Sequence, residues 1–127
     1  MKKIFLATLF IFIAFTVSAC SNQQEEIKDN LFNIEVKVYD KDENIVYERK
    51  TTTTFEILLE ALENIDDLIL ETEDSQFGAF ITSINGIIQE GNYFWNYYVN
   101  GDYATLGVSS YKINNNDIFE FRLEAFE

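Results

Sequence analysis

The sequence predicts an α+β domain, a mixed sheet with one helix packed across it. Three features predict it. Residues 31–39 alternate apolar and polar with the period of a strand, residues 55–65 carry a single apolar stripe with the period of a helix, and the remainder breaks into short strand-like runs punctuated by Asn-Gly pairs.

The chain does not begin with the domain. Met1, Lys2 and Lys3 open a basic start, an uncharged and mostly apolar run follows, and the sequence then reads Val17-Ser18-Ala19-Cys20. A basic start, an apolar stretch and small residues before a cut site make a secretory leader, and the run falls short of the ~20 residues that cross a bilayer. With Cys20 directly after Ala19, the segment resembles the lipobox of bacterial lipoproteins. That resemblance implies a leader over 1–19, a thioether-linked diacylglycerol on Cys20, and a mature chain held at the extracytoplasmic face of a membrane. Cys20 is the only cysteine, so its lipidation would leave no thiol for a disulfide, a metal or a nucleophile. Residues 20–30 are polar and read as a tether.

Residues 31–127 form the expected domain. Phe32, Ile34, Val36 and Val38 share one face of the first strand. Residues 40–44 make a turn, and 45–50 return as its hairpin partner. The turn begins like a calcium loop, but Ile45 stands where such a loop needs glycine and Thr51 where it needs its bidentate glutamate. Thr53 followed by Glu56 reads as a capping box for a helix of about three turns. Its stripe is Phe55, Leu58, Leu59, Leu62 and Ile65, with Glu60 and Glu63 in solvent. Strands are expected at 68–73, 77–84, 93–99 and 117–125, with turns at Asn85-Gly86 and Asn100-Gly101. This order of elements fits a β-grasp arrangement.

The segments FGAFITSINGI, YFWNYYVNG and LGVSSYKINNNDIFEFRL occur in an order that resembles the transcobalamin-like C-terminal domain of bacterial lipoproteins and surface proteins, related to the small domain of intrinsic factor and transcobalamin. A Trp-x-Tyr-x-Val-Asn-Gly strand of that family is matched by Trp95, Tyr97, Val99, Asn100 and Gly101. The family's later Gly-Asp turn is Asn116-Asp117 here, and Asn is the residue after glycine that best accepts a positive φ. The resemblance implies the β-grasp fold and, as ligand rather than catalytic cofactor, a corrinoid such as cobalamin. The helical barrel that covers the ligand in the eukaryotic binders has no counterpart in the sequence.

Trp95, Tyr97 and Val99 fall on one strand face and are assigned to the core. Phe94 and Tyr98 fall on the other, and with Tyr93, Tyr103 and Tyr111 they are the candidate ligand-binding platform, since tyrosine joins a broad apolar face to a hydroxyl. The chain has no His, hence no imidazole base or ligand, and no glycine-rich phosphate loop, so the reading is a non-catalytic binding protein. The acidic residues Asp66, Asp67, Glu71, Glu73 and Asp74 lack any recognisable metal-ligand spacing, and no metal site is assigned. The net charge is −13, and losing Lys2 and Lys3 with the leader takes it to −15, which argues against nucleic acid as a partner. The expected partners are the membrane through Cys20, a small molecule and a transporter component. The alternatives are a surface module that binds another protein and an acidic, calcium-type metal binder.

Overall fold

The computed structural model describes residues 30–126. The leader, Cys20 and nearly all of the tether lie outside the described residues. The elements, in order, are β1 (Phe32–Tyr39), β2 (Ile45–Thr53), α1 (Leu58–Glu63), β3 (Leu70–Ser75), β4 (Gly78–Ile84), β5 (Ile87–Ile88), β6 (Tyr93–Val99), β7 (Asp102–Tyr103) and β8 (Asp117–Ala125).

They form two sheets. The larger runs β2-β1-β8-β6-β7 and is mixed, because β1 and β8 lie parallel at its centre while every other pair is antiparallel. The smaller, β3-β4-β5, is antiparallel throughout. The alternation in the sequence decides what the larger sheet buries. Ile34, Val36 and Val38 of β1, Phe119, Phe121 and Leu123 of β8 and Trp95 of β6 form one apolar face. Leu58, Ala61, Leu62, Ile65, Leu68, Ile81, Ile84, Val108 and Ile113 cover that face in a single core.

The expected α+β class is overturned. The described chain is mostly β, with eight strands in two sheets and one helix of only six residues, in place of one sheet crossed by a three-turn helix. The physical reason lies at 51–57. Thr51, Thr52 and Thr53 are β-branched and continue β2 opposite Ile34, Asn33 and Phe32, so Thr53 is a buried strand residue and not a cap. Its hydroxyl accepts from the Phe55 N–H, Phe55 stays partly exposed, and Ile57 precedes the helix without a side-chain cap. The free N–H groups of the first turn are satisfied from outside: Leu58 donates to the Tyr111 carbonyl and Leu59 to that of Val108. Leu58 and Leu62 of the predicted stripe are buried, while Glu60 and Glu63 are exposed as expected. The much smaller cover that this helix supplies is made up by the second sheet.

The turns follow their chemistry. Asn85-Gly86 has φ of 47° and 81°, and Asn100-Gly101 has 52° and 88°, two positive values in succession as tight hairpins require. Asn116 sits at φ 69°, taking the place that the resemblance gave to glycine. The would-be calcium loop closes on itself, since the Asp40 Oδ1 accepts from the N–H groups of Asp42 and Asn44, both at 2.9 Å. Gly78 is demanded twice over: its φ is 99°, and a Cβ there would stand 2.5 Å from the Ser109 Oγ, which accepts from the Ala79 N–H.

Candidate functional site

The five aromatics expected to form one platform are divided between the two faces of the larger sheet. Phe94 and Tyr98 share the outer face, which no other element among the described residues covers, and Tyr103 joins them because it stands directly opposite Tyr98. The Tyr98 and Tyr103 rings meet edge to face at 5.6 Å, and Phe94 meets Phe126 in the same manner at 6.2 Å. Tyr93 falls on the inner face and packs against the core. Tyr111 also packs there, its ring edge-on to Phe119 at 5.6 Å and its hydroxyl donating to the Asp117 carboxylate at 2.8 Å.

The outer face is satisfied by the protein's own side chains. The Arg122 guanidinium lies 4.1 Å from the centre of the Tyr39 ring and 5.6 Å from that of Tyr98, and it donates twice to Glu120. Tyr98 donates to the Glu124 carboxylate, and Asn96 donates to the same group. Partial burial, followed by the Glu124 contact, raises the Tyr98 phenol above its ordinary value. A flat ligand stacking on Tyr98 would have to displace a cation already held by two rings and a carboxylate.

The concave surface lies on the other side, where the two sheets part. β4 and β6 approach but do not pair, and β7 covers only the last two residues of β6. Between them opens a cleft of about 510 Å³ whose walls include Phe80, Trp95, Tyr97, Tyr103, Leu106 and Phe121. Trp95 anchors one wall: its ring is buried, and its Nε1 donates to the Ile87 carbonyl at 3.0 Å, tying the larger sheet to β5. Tyr97 stacks on Phe121 at 5.5 Å and donates its hydroxyl to the Leu106 carbonyl, which pins the 104–107 loop across the cleft. Burial holds the Tyr97 phenol well above its usual value, so it is a neutral donor at any ordinary pH. Phe80, Tyr103 and Leu106 are exposed at the mouth. Of the five predicted residues only Tyr103 reaches this cleft. Sequence reasoning missed Phe80 and Leu106, because the cleft exists only once there are two sheets.

Residues 56–125 match the family described as a domain of unknown function, DUF4430. The chain belongs to this family. Among solved structures the DUF4430 chain is similar to a Ruminococcus gnavus protein provisionally described as metal-binding, at 20% identity and a TM-score of 0.68, over 76% of this chain and 99% of that one. It is also similar to haptocorrin in complex with Cbi, at 19% identity and a TM-score of 0.63, over 78% of this chain but only 26% of haptocorrin. At these identities the likeness is one of fold. It supports the transcobalamin-like domain that the sequence resembles, and leaves the lipoprotein leader to the residues outside the description. No curated protein matches the chain.

The acidic side chains of the DUF4430 domain do not converge: among the described residues no group of three or more His, Cys, Asp or Glu is placed to hold a metal ion. Asp67 is engaged elsewhere, accepting from the Tyr47 hydroxyl at 2.8 Å and from Arg49 at 2.6 Å, and these two hydrogen bonds hold its carboxyl below the usual range. Burial, and then the Asp67 carboxylate, push the Tyr47 phenol up to about 12. An unfolded tyrosine titrates near pH ~10, so the folded state binds the proton more tightly and its stability declines as pH rises from ~10 towards that value. The thermal midpoint is expected to fall over this alkaline window, and to fall less steeply in Tyr47→Phe. Equal slopes in the two proteins would show that Tyr47 is not the group responsible.

Proposed function

We propose that the protein is a non-catalytic binding module, carried outside the cell on a lipid attached to Cys20, that captures a flat small molecule in the cleft between β4 and β6. The observation that carries this reading is the cleft itself. Its ~510 Å³ falls within the range of small-molecule sites, and aromatic rings share its lining with polar groups such as Asn96 and Thr105. The fold it shares with haptocorrin, a protein solved with Cbi bound, favours a corrinoid as the ligand class. An open cleft on a single small domain buries only part of such a ligand. Affinity in the micromolar range or weaker is therefore expected, unless a transporter component closes over it.

Calorimetric titration of the full-length protein with cobalamin and with its base-free corrinoid core tests the reading. Phe80→Ala combined with Leu106→Ala should weaken binding by about tenfold or more, as loss of two apolar contacts at the mouth predicts, while the thermal midpoint holds. Tyr98→Ala, on the outer face, should leave binding unchanged. No heat of binding up to millimolar ligand, or loss of binding in Tyr98→Ala alone, removes the cleft as the site. Anchoring is tested separately. Cys20→Ala should move the protein from the membrane fraction to the soluble one, and continued sedimentation with membranes would rule out the lipid.

A further inference from the structure

The charges of the chain are segregated. Between Lys50 and Lys112 there are ten Asp and Glu and not one Lys or Arg. This interval contains α1, the whole smaller sheet, β6 and β7, so every described cation belongs to β1, β2, β8 and their adjoining loops. At one margin of the anionic half runs β3, an edge strand whose residues after Leu70 are all exposed.

The register fixes which of its backbone groups are available. Ser75 and Gly78 close the β3–β4 hairpin, and Glu73 stands opposite Phe80. The Ala79 N–H turns away from β3 to reach Ser109, so Ala79 and its partner Asp74 are a pair that exchanges no ladder hydrogen bonds. By alternation the N–H and C=O groups of Thr72 and Asp74 point to the open side of β3. Beside this edge stand two exposed rings, Phe77 (82% exposed) at the hairpin tip and Phe80 (41%) on β4. The tip is ordered rather than loose: Ser75 Oγ accepts from the Phe77 N–H at 3.1 Å and donates to the Gly78 carbonyl at 2.9 Å.

We propose that the open edge of β3 takes up an extended, lysine- or arginine-bearing segment of a partner protein as an added strand, with Phe77 and Phe80 as its aromatic contacts. The backbone groups of Thr72 and Asp74 supply the ladder bonds of strand addition. Glu71, Glu73 and Asp74 lie on both faces of β3 and meet cationic side chains on either face of the incoming strand. Rings beside carboxylates add a cation–π component. Charge decides between occupants. A second copy pairing through the same edge would set these three carboxylates against three others, and like charges opposed across strands are destabilising. The other long edge strand, β2, carries Glu48, Arg49 and Lys50 and offers no such complementarity. Phe80 also stands at the mouth of the β4–β6 cleft, but the β3 edge and Phe77 lie outside it, and pairing along that edge does not depend on the small-molecule reading.

The test titrates the full-length protein with a peptide of alternating lysine and valine of about eight residues, enough to span the strand at ~3.4 Å per residue. The controls are its glutamate–valine counterpart and a version N-methylated at alternate backbone positions. The lysine peptide should bind and should protect the amides of Thr72 and Asp74 from hydrogen exchange, while both controls fail. Combining Glu71→Gln, Glu73→Gln and Asp74→Asn should weaken it about tenfold or more, the scale of several screened ion pairs. Phe77→Ala, at a residue too exposed to affect folding, should weaken it by a smaller factor. Equal binding of the N-methylated peptide would reduce the effect to diffuse charge attraction and overturn the proposal. Protection appearing elsewhere, or no binding of the lysine peptide, would overturn it as well.

Discussion

Trp95→Ala is expected to destabilise the domain by about 3–5 kcal/mol, the range for removing a large aromatic from a packed core. A small domain has only ~5–15 kcal/mol in total, so this variant should sit at the margin of folding. Two losses combine. The indole is buried between the larger sheet and the second layer, and its Nε1 donates the hydrogen bond that holds the Ile87 carbonyl. Trp95→Phe separates them, keeping most of the apolar volume while giving up the hydrogen bond, and should cost much less. Urea unfolding followed by circular dichroism measures both, since the variants lack the only tryptophan. In the native protein that tryptophan should emit at a short, buried-type wavelength and shift to the red on unfolding. A Trp95→Ala variant as stable as the parent would show that neither the indole nor its hydrogen bond holds the layers together.

The second large effect is expected at Asp117, a charged residue only 3% exposed. Its carboxylate accepts from the Asn100 Nδ2 at 2.9 Å, the Tyr111 hydroxyl at 2.8 Å and the Asn114 N–H at 2.9 Å, and no buried polar side-chain atom among the described residues lacks a partner. Asn100 returns the contact by accepting from the Ile118 N–H at 2.9 Å. One carboxylate thus joins the β6–β7 turn, the 111–114 loop and the start of β8. Asp117→Ala would leave three donors with no acceptor, and a loss of about 2–4 kcal/mol is expected. Asp117→Asn keeps one acceptor oxygen and should lose less. Denaturant midpoints with unchanged m-values would confirm that the loss is one of stability alone. The same network gives a physical reason for the Asn-Gly and Asn-Asp pairs that the resemblance first picked out.

Strands with a clean alternation were legible. Residues 31–39, 93–99 and 117–125 were read nearly to their observed bounds, because burying one face of a sheet imposes a period of two on the sequence. The two Asn-Gly turns were legible because few residues accept a positive φ. The helix was over-read for an equally definite reason. The Thr53 and Glu56 spacing is a local signal, and it yielded to pairing with β1, a contact between residues distant in sequence. β5 and β7, two residues each, are too short to carry any period. The platform divided at Tyr93, which the alternation of 93–99 already sets on the face of Trp95, and at Tyr111, a loop residue with no alternation to orient it. The cleft was illegible in principle, being a gap between two sheets that only the tertiary fold defines.

The parallel pairing of β1 with β8 sets the order in which the molecule can be made. The central ladder of the larger sheet joins β1 to β8, so the core has no complete floor until β8 is present. Closing so long a loop costs entropy before any contact repays it, and folds of this kind assemble in milliseconds to seconds rather than microseconds. A chain growing from the ribosome therefore leaves this core open until β8 has emerged. A nascent chain stalled before Phe119 should remain protease-sensitive along its whole length.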